Sequence, residues 1–248
     1  EWLIDLQPGH VDDNEPLWGA AIDIGTTTVT LWLADLISGE VKAQVSEYNA
    51  QITRGEDVIS RIVYSTKDNG AEELRHMVLD TIYRLAEQAC KRVVGWKVHP
   101  KDIIKATIAA NSTMTHLLLG VSPASIRYSP YVTCVNQPPL LSAREMGLKI
   151  NPEAIVDCLP GVASYVGADI SAGVYSSGMD NTDQLTLFMD VGTNGEIVLG
   201  SREWLVSCAC SAGPAFEGAG VFAGMRATRG AIEEVWINGE TWEPTYRV

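Results

Sequence analysis

The chain has no stretch approaching the ~18 consecutive apolar residues of a membrane helix, and nothing at its start reads as a secretory leader. It has no Cys-x-x-Cys, which leaves it without a zinc or iron–sulfur ligand pattern. Its five cysteines, Cys90, Cys134, Cys158, Cys208 and Cys210, are odd in number and irregular in spacing. That argues against a disulfide framework and for a reducing compartment, the cytoplasm. No Lys/Arg run is present, and the net charge is −13. Such a field repels a nucleic-acid backbone, so neither nucleic acid nor membrane is an expected partner. The Walker pattern is missing, as is a Gly-x-Gly-x-x-Gly opening a helix, which argues against P-loop and Rossmann folds.

What is present is a soluble balance: 248 residues, 46% hydrophobic and 20% charged, enough for one large domain or two lobes. The first residue is Glu1, not Met, and residues 1–16 read as an acidic, proline-bearing linker or tail. Apolar runs at 18–24, 29–35 and 41–48 predict an antiparallel meander. Residues 70–94 show a three- and four-residue apolar rhythm and predict a helix. A buried strand is expected at 103–110, a helix at 113–119 ending at Gly120, and irregular chain at 122–139. A Gly/Ala-rich helix is expected at 166–175, with strands at 185–190, 196–200 and 204–210. Cys208 and Cys210 alternate within the last of these and read as buried core thiols.

Two matched loops carry the chemistry: Asp23-Ile24-Gly25-Thr26-Thr27-Thr28 and Asp190-Val191-Gly192-Thr193-Asn194-Gly195-Glu196. In each, an apolar strand delivers an Asp, and a glycine then lets the backbone turn and approach a ligand. Backbone N–H groups around Gly25, Gly192 and Gly195, with the side chains of Thr26, Thr27, Thr28, Thr193 and Asn194, can surround phosphate oxygens. Asp23 and Asp190 can hold Mg²⁺, directly or through its waters. One such loop is also an ordinary hairpin turn. Two of them, each after an apolar strand, point to the phosphates of ATP.

The pair resembles the ATPase superfamily of actin, Hsp70 chaperones and sugar kinases (ASKHA), with a ribonuclease H-like α/β fold. That resemblance implies two lobes clasping ATP: residues 17–182 as the first and 183–248 as the beginning of a truncated second. In the sugar-kinase branch a Gly-x-x-Asp helix precedes the second loop, and its Asp acts as base or orients the metal. Gly167-Ala168-Asp169 stands in that position here, so Asp169 joins Asp23 and Asp190 as a catalytic candidate.

Further segments narrow the match: Tyr48-Asn49-Ala50-Gln51 with Gly55-Glu56-Asp57-Val58-Ile59-Ser60-Arg61-Ile62, Asn111-Ser112-Thr113-Met114-Thr115-His116-Leu117-Leu118-Leu119-Gly120, Leu159-Pro160-Gly161 through Asp169, and Ala212-Gly213-Pro214-Ala215-Phe216-Glu217-Gly218-Ala219. This set resembles the ATP-dependent reductive activators of corrinoid proteins, from about Leu17 to the end of the chain. The resemblance implies transfer of an electron from an iron–sulfur cluster to a cobalt(II) corrinoid partner, restoring the methyl-accepting cobalt(I) state. It implies ATP and Mg²⁺ as cofactors and leaves a homodimer open. The 2Fe–2S cluster is expected on a ferredoxin domain absent from this chain, because the plant-type Cys-x₄-Cys-x₂-Cys run is missing. The superfamily's Gly-rich adenosine segment is not seen either, so the chain reads as a fragment, inactive alone. A small-molecule kinase and a non-hydrolysing nucleotide switch remain alternatives. Asn111 reads equally as a helix cap or a cleft residue, and His116 as structural. Arg54, Asp57 and Arg61 read as a charged surface.

Overall fold

A computed structural model describes residues 15–192, 194–210 and 229–248. The chain divides into two compact units, Glu1–Asp180 and Asn181–Val248. The first opens with the expected meander: β1 (Trp18–Ile24), β2 (Thr28–Asp35) and β3 (Val41–Tyr48), antiparallel in turn. Helices α1 (Val58–Ser65) and α2 (Gly70–Arg92) follow, then β4 (Ile103–Ala110), α3 (Ser112–Leu119) and the short α4 (Ala124–Arg127). Strand β5 (Leu141–Ser142), helix α5 (Ala143–Met146), strand β6 (Ile155–Cys158) and helix α6 (Ala168–Ser177) complete the unit. The sheet order is β3-β2-β1-β4-β6-β5, with β4 and β6 joining β1 in parallel. It is the mixed α/β sheet expected.

Period-two alternation puts Ala20, Ile22 and Ile24 of β1 on one face with Val29, Leu31 and Leu33 of β2. Helix α2 covers that face with Leu74, Val78, Ile82, Leu85 and Ala89, spaced to form one stripe. Each fully buried Leu or Ile there contributes roughly 1.5–3 kcal/mol. Glu72 and Glu73 lie in the first turn of α2 and Lys91 and Arg92 in its last, matching the helix dipole. The alternation also decides where Asp23 goes: with half-buried Thr30 and Trp32 it lies on the face opposite α2.

Helix α1 and the β5–β6 region were not foreseen. A capping box starts α1: Asp57 accepts the Ser60 N–H while the Ser60 side chain accepts that of Asp57. Its register buries Arg61 and Ile62, so Arg61 is not part of a charged surface. Arg54 is, pairing with exposed Glu73 at 2.7 Å.

In the second unit, β7 (Thr186–Val191), β8 (Gly195–Ser201) and β9 (Trp204–Cys210) form an antiparallel meander. A separate hairpin pairs β10 (Glu234–Ile237) with β11 (Pro244–Arg247). Among the described residues no helix belongs to this unit, and both faces of the meander are largely open. Cys208 and Cys210 are exposed, not buried as expected, because no layer among the described residues covers β9. The segment Ala212-Gly213-Pro214-Ala215-Phe216-Glu217-Gly218 and Thr193 lie outside the described residues.

Candidate functional site

The first loop joins β1 to β2 by a tight turn in which the Gly25 N–H donates to the Thr28 carbonyl at 2.9 Å. A methyl group on Gly25 would lie 2.7 Å from that carbonyl oxygen, which is why glycine is needed here. The following three carbonyls all point inward. That of Gly25 accepts from Asn49 Nδ2 at 2.9 Å, that of Thr26 from Arg61 Nη2, and that of Thr27 from the Asn49 N–H at 2.8 Å.

A trans peptide holds its C=O and the next N–H on opposite sides. Among the described residues the one cis bond is Ser129–Pro130. The Thr26 and Thr27 N–H groups therefore face away from Asn49 and Arg61. Two successive N–H groups turned out of a loop make an anion-binding concavity, and the Thr27 and Thr28 side chains beside them are exposed.

The support beneath is built from distant segments. Asn49 and Arg61 are fully buried. Asn49 Oδ1 also takes the Gln51 N–H, and Gln51 reaches the Leu74 carbonyl at 2.8 Å. Arg61 donates to the Gly55 carbonyl at 2.9 Å, and to Gln51 Oε1 and the Met114 sulfur at 3.2 Å each. Burial pushes its guanidinium down to about 10, so it stays cationic at neutral pH.

Asn111 joins two roles. Its Oδ1 caps α3 by accepting the Met114 N–H at 3.0 Å, and its Nδ2 donates to Thr26 Oγ1 at 3.1 Å. That bond uses a lone pair of the Thr26 hydroxyl and leaves its proton to be donated elsewhere. His116 is structural. Its Nε2 accepts the Cys134 N–H at 2.9 Å, so the ring proton sits on Nδ1 and donates to the Ser112 carbonyl at 2.7 Å. Burial lowers its pKa from the ordinary 6.5.

Asp169 belongs to the same neighbourhood. It lies in the first turn of α6, where its Oδ1 accepts the Ile170 N–H at 2.9 Å. The helix comes in close because Gly167 lacks a side chain. A methyl there would lie 2.5 Å from Asn111 Cα, 2.8 Å from the Ala110 carbonyl and 2.7 Å from Asp169 Oδ1. Asp23 stands opposite Ala109 in the parallel β1–β4 pair, and Ile24 opposite Ala110. Asp23, Thr26, Asn111 and Asp169 therefore gather at the carboxyl ends of two parallel strands, where open α/β sheets place their ligands.

The second loop is closed differently. The Gly192 N–H donates to the Asn194 carbonyl at 2.9 Å, and Val191 pairs with Gly195. Asp190 is exposed, and Cys210 donates its thiol to the Gly195 carbonyl at 3.1 Å. Asn49, Gln51, Arg61 and Met114 were not singled out as loop supports. The signal available was an Arg in the apolar register of α1. Among the described residues no three His, Cys, Asp or Glu side chains are grouped to hold a metal. Mg²⁺ beside phosphates needs only one or two carboxylates.

A family model described as the RACo middle region matches residues 18–182. One described as the C-terminal domain of RACo, the ASKHA domain, matches residues 184–248. The corrinoid activation enzyme RamQ of Eubacterium limosum is 37% identical over 251 residues, covering 99% of this chain and 40% of its own length. The Co(II) methylated amine-specific corrinoid protein reductase of Methanosarcina barkeri is 22% identical over 239 residues, covering 91% of this chain and 42% of its own. A solved structure of a reductive activator for corrinoid, iron-sulfur protein matches at a TM-score of 0.81 and 48% identity, over 95% of this chain and 37% of that one. The chain thus spans about two-fifths of the length of these relatives.

Proposed function

Since the chain belongs to the RACo family, matching its middle region and its C-terminal ASKHA domain, we propose that it is the nucleotide-binding part of a corrinoid activator. In this reading the whole protein uses ATP to return a cobalt(II) corrinoid protein to cobalt(I). One observation carries the nucleotide assignment: the inward-held carbonyls of Gly25, Thr26 and Thr27, which turn the Thr26 and Thr27 N–H groups outward. Phosphate oxygens take those N–H groups and the Thr26, Thr27 and Thr28 hydroxyls.

Asp23, half-buried at the end of β1, holds Mg²⁺ directly or through water. The ion supplies positive charge beside the phosphate oxygens. Asp169, next to Asn111 and Thr26, orients water or the metal's hydration shell. The matched residues Asp190, Gly192, Thr193, Asn194 and Gly195 take the same roles in the second loop by likeness of motif.

In the whole protein an iron–sulfur cluster of the 2Fe–2S type would supply the electron. One electron from such a cluster would reduce cobalt(II) of the partner to cobalt(I). Each ~59 mV by which the transfer runs uphill is a tenfold penalty. ATP offsets it only if nucleotide favours one arrangement of activator and partner over another. A cytoplasmic location suits five free cysteines, and among the described residues no helix is long and apolar enough to cross a membrane.

The test follows the optical spectrum of a corrinoid protein mixed with reductant and the full-length protein that contains this chain. Cobalt(I) absorption is expected with ATP and not without it, and Asp23→Ala is expected to remove the dependence on ATP. Absence of cobalt(I) under every condition would end this reading.

A further inference from the structure

Arg61 stands out as a buried cation that a surface reading of the sequence misplaces. Among the described residues its partners are two backbone carbonyls, an amide oxygen and a thioether, with no carboxylate in contact. A fully desolvated guanidinium held by neutral acceptors is costly unless its charge or geometry serves something. Here it reaches from α1 across to the middle carbonyl of the first phosphate loop.

We propose that Arg61 is a positioning residue for phosphate binding: it holds the Thr26 carbonyl inward, so that the Thr27 N–H is presented to an anion, and it lends its charge from below. This rests on the phosphate reading of the loop. Two features make the role specific to arginine. The guanidinium spans the Gly55 and Thr26 carbonyls at once, through Nε and Nη2. Its remaining nitrogen is taken by Gln51, which shares its bonding with Asn49, the second loop support. Lysine carries the same charge as a single point and cannot bridge the same set. The charge also lies behind the loop, where no contact with phosphate is required for it to attract one.

The experiment titrates Mg-ATP into the ¹⁵N-labelled full-length protein that contains this chain and reads the backbone amides, with wild type compared to Arg61→Lys and Arg61→Gln. In wild type, Mg-ATP is expected to shift the Thr26 and Thr27 amides and slow their hydrogen exchange. Arg61→Gln should weaken binding by about tenfold or more, the scale of one hydrogen bond to a charged group, with Arg61→Lys in between. Both variants should retain the wild-type response of the Asn194 amide at saturating nucleotide. A role confined to stability would lower the melting temperature and leave the affinity of the folded fraction and the Thr27 shift unchanged, which overturns the proposal alone. Wild type that binds Mg-ATP without moving Thr27 also overturns it, whether or not either variant folds. Wild type that does not bind Mg-ATP at all overturns the phosphate reading, and the proposal with it.

Discussion

The two Asp-Gly-Thr loops share a motif and differ in what lies beneath them. Under the first, Asn49 and Arg61 are fully buried and take three successive carbonyls. Asn111 adds a bond to a side chain of the loop. The second closes on itself through Gly192 and Asn194, on a sheet whose faces are largely open among the described residues. A short motif can thus recur with a different turn closure, and among the described residues the buried polar scaffold lies beneath the first copy. Preorganisation of such a loop is a property of the distant residues that hold its carbonyls, not of the loop's own letters.

The contrast predicts unequal responses to the same change. Gly167→Ala should act most strongly, because two of the three atoms it meets are backbone atoms of Ala110 and Asn111. Moving α6 to admit the methyl is expected to cost about 2–4 kcal/mol of the first unit's stability in urea denaturation. Gly25→Ala should cost about 1–3 kcal/mol, since its methyl meets the Thr28 carbonyl at 2.7 Å. Gly192→Ala, whose nearest neighbour among the described residues is the Asn194 carbonyl at 3.8 Å, should change stability by no more than about 0.5 kcal/mol. Equal costs for these two would erase the difference between the loops.

The next effect is one of pH. His116 is held neutral, with its pKa below the ordinary 6.5. The unfolded chain therefore binds more protons at this site as pH falls. Its contribution is complete above pH 6.5 and is lost as pH drops below that value toward the folded pKa. The slope is at most about 1.4 kcal/mol per pH unit. Denaturation midpoints measured across that window should fall for wild type and fall less for His116→Gln.

The smallest effect is chemical. Burial pushes the Cys90 and Cys158 thiols up to about 12, while Cys208 and Cys210 are exposed. A thiol reagent under native conditions should label Cys208, Cys210 and the exposed Cys134 and leave Cys90 and Cys158 unmodified until urea is added. Prompt labelling of Cys158 would contradict its burial in the core of the first unit.

Much of this fold is legible in the sequence. Strands β1, β4 and β9 begin and end at the expected residues because each is an apolar run bounded by turn residues. Helix α3 stops at Gly120, whose φ of 73° suits glycine. The two-residue β5 and the four-residue α5 carry too short a pattern to read. Cys208 and Cys210 alternate as half-buried residues do, but alternation does not reveal whether a covering layer exists. Arg61 was illegible for another reason. Its partners Thr26 and Met114 stand 35 and 53 positions away, and a charged letter in a short helix reads as surface until the fold brings that carbonyl and that sulfur to it.

The most direct test of the central claim is calorimetric titration of Mg-ATP into the full-length protein that contains this chain, side by side with Asp23→Ala and Asp190→Ala. A first loop prepared by its buried support predicts saturable binding that Asp23→Ala weakens at least about tenfold, the scale of one charge-assisted contact, and that Asp190→Ala weakens less. Binding that is indifferent to Asp23→Ala and abolished by Asp190→Ala would contradict it.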